Sequence, residues 1–224
     1  MDLVRRNAPG RGGERVLLVM LPGIGIGAEE FAERGFIDAA HGSSAPPDVI
    51  ACRPDLDLYL DGTVAEALER SVIAPARAEG YRRIWFLGLS LGAMGALLHA
   101  RAHPGEIEGV LLISPFLGTP GLIAEVARAG GIGAWQPSAV TNNDSEGQLM
   151  AWLGDHLRLR PERPALYLGY GLSDRFAAGH ALLDRELPAA RVVQDAGGHD
   201  WPTWSQLWRQ LLALRPFGAR RDVE

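Results

Sequence analysis

The sequence predicts a doubly wound α/β domain built on a mainly parallel, six-stranded sheet with helices on both faces. Two observations carry this. Six short runs, RVLLVML (15–21), DVIACR (48–53), RIWFLG (83–88), GVLLISPF (109–116), PALYLGY (164–170) and ARVVQDA (190–196), are nearly all apolar, as strands covered on both faces must be. Segments of helical pattern separate them, and such alternation favours parallel strands joined by right-handed crossovers.

Taken in order, the first run leads through LPGIGIG to the helical segment 28–40, and the second is followed by a helical segment over 61–80. The third passes without a loop into LGAMGALLHARAH (91–103), the fifth precedes DRFAAGHALLDREL (174–187), and the last precedes WSQLWRQLLAL (204–214). Residues 117–163 break the rhythm with Gly, Pro and polar clusters and two further helical stretches, near 120–129 and 146–158. This insertion reads equally as a decorated crossover or as one wall of a substrate pocket lined by Trp135 and Trp152. The expected organisation is one domain over 15–216, flanked by a poorly ordered N-terminal extension (1–14) and a C-terminal tail (217–224).

Composition narrows the function. A net charge of −5 without a basic block argues against nucleic acid or an anionic membrane as partner. All 22 basic residues are arginine, so chemistry needing a lysine amine, a Schiff base or a P-loop, is excluded. Cys52 stands alone and reads as a small buried residue, neither disulfide nor metal ligand. Arginines before the run VLLVMLPGIGIGA imitate a signal peptide, but cleavage there would remove a central strand, and no run of about 20 apolar residues is present. The expectation is a cytoplasmic protein; the sequence assigns no oligomeric state.

GLSLG (88–92) fits G-x-S-x-G, in which a serine sits on a sharp strand-to-helix turn. The five-residue pattern is weak alone; a strong strand before it and a strong helix after it supply the confirming context. A serine hydroxyl is a poor nucleophile until a base takes its proton. Among the six histidines, His199 lies in a glycine-bearing turn, DAGGHDW, after the last strand, at the carboxyl edge where α/β proteins build their sites. His99 and His103 imitate a metal pair, but the Glu of H-E-x-x-H is missing and HARAHP reads as an exposed helix end. Asp174, just after the fifth strand, is the expected acid that orients the imidazole, with Asp144, Asp155 and Asp200 as rivals and helix capping as its plainer role. Oxyanion donors are expected from the backbone N–H of Leu91 and of Ile24, with Gly25 as second choice and a possible pocket residue. A competing reading takes GIGIGA (23–28) as a dinucleotide fingerprint, but Asp55 lies 32 residues beyond Gly23, too far, and Ser90, Asp174 and His199 would go unexplained. Trp201, Trp204 and Trp208 follow at helical spacing and read as the packing face of the last helix rather than a substrate platform.

With these residues in place, the chain resembles the α/β-hydrolase superfamily over nearly its whole length, including the chain order Ser90, Asp174, His199. GLSLGAMGAL and GGHDWPTW are similar to the esterase D-like branch. It departs from the pattern at Pro22, where many members have histidine, in having no HGGG run, and at Ala93 in place of a second glycine after the elbow. The resemblance implies a minimal α/β-hydrolase fold with no large cap and without the two leading antiparallel strands of larger members. It implies a cofactor-free, metal-free serine esterase with a Ser90–His199–Asp174 triad, acting on a small acyl substrate, an ester or thioester. An acyltransferase using the same triad and a non-catalytic binding protein of the same fold are the alternatives.

Overall fold

The structure, a computed structural model, describes residues 1–9, 15–137, 144–159 and 163–218. Among them the strands are β1 (Asp2–Arg6), β2 (Val16–Leu21), β3 (Asp48–Arg53), β4 (Arg83–Leu89), β5 (Gly109–Ile113), β6 (Ala165–Gly171) and β7 (Val192–Asp195). They form one sheet in the order β1-β3-β2-β4-β5-β6-β7, parallel throughout except that β1 runs antiparallel to β3. The helices are α1 (Glu30–Glu33), α2 (Phe36–His41), α3 (Leu56–Leu60), α4 (Val64–Leu68), α5 (Ala74–Ala78), α6 (Leu91–Ala102), α7 (Pro120–Arg128), α8 (Ser145–Leu159), α9 (Ala177–Asp184) and α10 (Trp201–Ala213). A π-helical turn, Glu69–Ile73, joins α4 to α5.

Alternation along the strands sorts the core into two layers. Leu17, Val19 and Leu21 of β2, Phe86 of β4 and Val110 and Leu112 of β5 face α4, α5, α6 and α8. Their neighbours Leu18, Met20, Trp85, Leu87, Leu111 and Ile113 face α2 and α10. A period of two with both faces covered is why these strands read as continuous apolar runs. The run mistakable for a leader is the buried strand β2.

Two expectations are corrected. The sheet has seven strands, not six, and the additional one, β1, lies inside the segment 1–14 assigned to a poorly ordered extension, of which 10–14 fall outside the described residues. Its sequence DLVRR is mostly exposed, and an edge strand that presents Asp and Arg to water carries no apolar signature. Register places Leu3 opposite Cys52, and Arg53 donates to Asp2 at 2.7 Å. In the tail, 219–224 fall outside the described residues, while Phe217 is buried against the Trp85 ring, centroids 5.6 Å apart. The insertion adds α7 and α8, whose apolar residues Val126, Leu149, Met150 and Leu153 join the α6 layer.

The chain runs from β2 outward to β3, then returns to β4 on the other side of β2. The carboxyl ends of β2 and β4 therefore flank the point where the winding reverses, the place where open α/β sheets form a crevice. Two glycines let the elbow fit there. A Cβ on Gly88 would lie 2.3 Å from the Ala93 Cα, and one on Gly92 2.1 Å from the Leu21 carbonyl oxygen. Gly92→Ala is thus expected to lower the urea midpoint by an amount worth about 1–3 kcal/mol, although alanine is the better helix former. An unchanged midpoint would disprove this close-approach argument.

Candidate active site

Ser90 lies between β4 and α6, as the N-cap of α6, with φ 51° and ψ −114°, a conformation that costs a non-glycine residue about 1–3 kcal/mol. The surrounding backbone holds it there. Its N–H donates to the Ile113 carbonyl at 3.0 Å, and its carbonyl accepts from the N–H groups of Phe116 at 3.0 Å and Ala93 at 3.1 Å. The strained turn directs the side chain out of the sheet plane toward the turn after β7.

There the His199 Nε2 lies 3.0 Å from the Ser90 Oγ, and its Nδ1 2.9 Å from the Asp174 Oδ2. The structure thus brings Ser90, His199 and Asp174 into one unbroken line of hydrogen bonds, though 109 residues separate the first pair. The geometry fits the neutral tautomer with the proton on Nδ1: Nδ1–H donates to the carboxylate, and Nε2 accepts from the serine hydroxyl.

Each partner is fixed by local bonds. The Leu172 N–H donates to the Asp195 carbonyl at 2.7 Å and the Ser173 N–H to the Gly197 carbonyl at 3.0 Å, clasping the loop after β6 to the turn after β7. Gly171 permits the closeness, since a Cβ there would meet the Gly197 oxygen at 2.2 Å. Both oxygens of Asp174 are engaged: Oδ1 accepts from the Phe176 N–H at 2.8 Å while Oδ2 faces the imidazole. Its burial raises the carboxyl pKa, but hydrogen bonds led by that from His199 outweigh it and hold the group below the ordinary carboxylate value. The His199 ring is flanked edge-on by Phe176 and Trp204, each with its centroid 5.1 Å away.

The rival carboxylates are engaged elsewhere. Asp144 accepts from the Gly147 N–H at 2.8 Å, Asp155 pairs with Arg158 at 2.5 Å, and Asp200 caps α10 by accepting from the Thr203 N–H at 3.0 Å. Asp55, the ribose ligand of the nucleotide reading, instead pairs with the N-terminal ammonium at 3.2 Å.

A cleft of about 320 Å³ opens over Ser90 and His199, walled by Gly23, Ile24, Ile26, Trp201, Trp204 and Arg175. A Cβ on Gly23 would sit 3.3 Å from the Ser90 Cβ, so the loop after β2 passes directly over the elbow. Ile24 is therefore at the cleft, and Leu91, as the first residue of α6, has an N–H with no intrahelical acceptor. Gly25, Trp135 and Trp152 are not among the cleft residues. Trp135 is buried in the α6-side core with its indole N–H donating to Glu125 at 2.9 Å, and Trp152 lies against His156 on α8. The described apolar residues of the insertion pack into the α6-side core, and the Trp135 ring goes with them.

The aromatic wall comes from Trp201 and Trp204, residues read from sequence as packing. The packing reading holds, since Trp204 and Trp208 are in the core layer under α10 and Trp201 packs against it; the first turn of α10 also starts at the cleft, so Trp201 and Trp204 serve both. Arg175 was not anticipated; its guanidinium lies 4.9 Å from the Phe176 ring centroid and, among the described residues, forms no ion pair. Its position next to Asp174 was the available signal.

The fold is that of the α/β-hydrolases. Solved structures similar to the chain include S-formylglutathione hydrolase from Staphylococcus aureus (TM-score 0.65, 13% identity, covering 92% of this chain and 83% of that one). A ferulic acid esterase gives TM-score 0.63 and 20% identity over 92% and 86% of the two chains. The monoacylglycerol lipase of Paleococcus ferrophilus gives 0.59 and 18% over 96% and 100%. No protein-family model matches the sequence, and no curated protein matches it. Among the described residues, no helix is long and apolar enough to cross a membrane.

Asp174→Asn is expected to leave the circular dichroism spectrum unchanged while lowering kcat/KM on an activated ester by about 10⁴-fold, because the amide favours the wrong imidazole tautomer. Retained activity would remove Asp174 from the site. His180 is buried beneath it, and its Nε2 contacts the Pro115 carbonyl at 2.9 Å. Burial, only partly opposed by Asp174 and that carbonyl, lowers the pKa below the ordinary 6.5. The unfolded chain then binds a proton that the folded one refuses, so stability must decline as pH falls below about 6.5. His180→Gln should flatten the fall of the urea midpoint between about pH 7 and pH 5. An unaltered slope would show that the side chain does not contribute.

Proposed function

We propose that this protein is a serine esterase whose nucleophile is Ser90, general base His199 and orienting acid Asp174, with the N–H groups of Leu91 and Ile24 as oxyanion donors. The observation that carries the reading is the continuous Ser90–His199–Asp174 line at 3.0 and 2.9 Å, opening into a cleft. Names of ester hydrolysis among the structural neighbours support it.

In this reading an ester carbonyl enters between the Gly23–Ile24 loop and the start of α6. As the Ser90 oxygen attacks, its proton passes to His199 Nε2, and Asp174 stabilises the resulting imidazolium. The carbonyl oxygen gains negative charge at the N-terminal end of α6, where unpaired N–H groups and the helix dipole favour it. His199 then gives the proton to the departing alcohol oxygen, leaving Ser90 acylated. Water, deprotonated by the same imidazole, releases the acid and restores Ser90. No step calls for a cofactor. A cleft of about 320 Å³ favours small acyl groups.

Ser90→Ala is expected to abolish labelling by a fluorophosphonate probe and to lower kcat on p-nitrophenyl acetate by at least about 10³-fold, with folding intact. Equal labelling of the variant, or undiminished turnover, would defeat the assignment.

A further inference from the structure

The far end of α6 carries a second cluster that esterase chemistry does not use. His99, expected on an exposed helix end, is fully buried, with its ring between Phe86 and His103 at centroid distances of 5.2 and 4.6 Å. The Glu that the sequence lacks between its histidines arrives from another helix: the Glu69 Oε2 lies 3.0 Å from the His99 Nε2. The other oxygen, Oε1, accepts from Arg77 at 3.2 Å, so Arg77 anchors the carboxylate while Oε2 faces the histidine. His99 Nδ1 is buried without a hydrogen-bond partner. Glu69 also opens the π-helical turn, an irregularity that recurs at functional positions in helices.

One donor atom from each of Glu69, His99 and His103 lies within 4.8 Å of the others. Bonds of about 2.0–2.1 Å in a tetrahedral site put donors about 3.4 Å apart. The Glu69–His99 pair, at 3.0 Å, nearly has that spacing already. Closing the longest gap takes a shift of about 1.5 Å, within reach of His103, which is half-buried just beyond the last residue of α6.

We propose that Glu69, His99 and His103 form a binding site for a zinc-type divalent transition ion, with water completing the coordination on the half-exposed side. Two imidazoles and one carboxylate suit Zn²⁺, Co²⁺ or Ni²⁺ rather than Ca²⁺ or Mg²⁺. α6 spans about 18 Å, so an ion at this end lies too far from Ser90 to act on a substrate carbonyl. Its effect is structural: it ties the helix that starts at Ser90 to the α4–α5 rod through one carboxylate.

The test uses the tag-free, full-length chain, stripped with a chelator and titrated with Co²⁺ by visible absorption and with Zn²⁺ by calorimetry. The expected result is saturation at about one equivalent, tetrahedral d–d bands, and a higher melting temperature with Zn²⁺. Glu69→Gln and His103→Ala should each weaken binding at least 10-fold while keeping the metal-free chain folded by circular dichroism. Absence of saturable binding to the parent chain would overturn the site, as would affinity unchanged in both variants, which would place the ion elsewhere.

Discussion

The strained backbone of Ser90 is the constraint on which the rest depends. A residue with φ 51° survives at a strand-to-helix junction only if the neighbours leave it no alternative. Here they do so from three sides. β5 takes its N–H, the segment after β5 donates to its carbonyl, and Gly92 lets α6 press against the end of β2. The same contact that demands a glycine at position 92 also sets the start of α6 beside the loop after β2. Strain, close approach and a cleft at the winding reversal are thus one arrangement seen at three scales.

The histidine arrives by a separate route that needs its own fastening. β7 is short and half-exposed, a poor platform for a positioned imidazole. What fixes the turn is the clasp between Leu172, Ser173, Asp195 and Gly197, reinforced by Asp200 capping α10 immediately after His199. Asp174 belongs to the other side of that clasp. Asp174 and His199 are therefore held to each other by backbone bonds that do not involve their own side chains, which is how a contact between distant segments keeps its geometry.

Much of this was legible in the sequence because it rests on local pattern. Buried strands announce themselves by composition, and glycines on both sides of a serine at a strand–helix junction mark a turn with no room for neighbouring side chains. That His199 and Asp174 meet beside Ser90 followed from their chain position at the carboxyl edge. What escaped depended on exposure or on distant contact. β1 is polar because water covers it. Trp135 and Trp152 looked available because nothing in their own stretch reports the Glu125 and His156 contacts that hold them, whereas the packing face of α10 was legible and its first turn's place at the cleft was not. His99 was misread for a related reason: its partner Glu69 lies 30 residues earlier, and nothing in HARAHP reports that α4 and its π turn cover it.

Among the described residues, the walls of the cleft come from the loops around Ser90, Arg175 and His199 and from the start of α10. The first turn of α10 supplies Trp201 and Trp204, the loop after β2 supplies Ile24 and Ile26, and Arg175 stands on the one segment already fixed by Asp174. In the proposed esterase, a change of specificity at these walls falls close to the groups that hold the Ser90–His199–Asp174 line. The site has little freedom to widen without loosening His199, because Trp204 both walls the cleft and flanks the imidazole. Building the walls and the hydrogen-bonded line from the same few turns couples the two, and in the proposed esterase a cleft of about 320 Å³ favours short acyl groups.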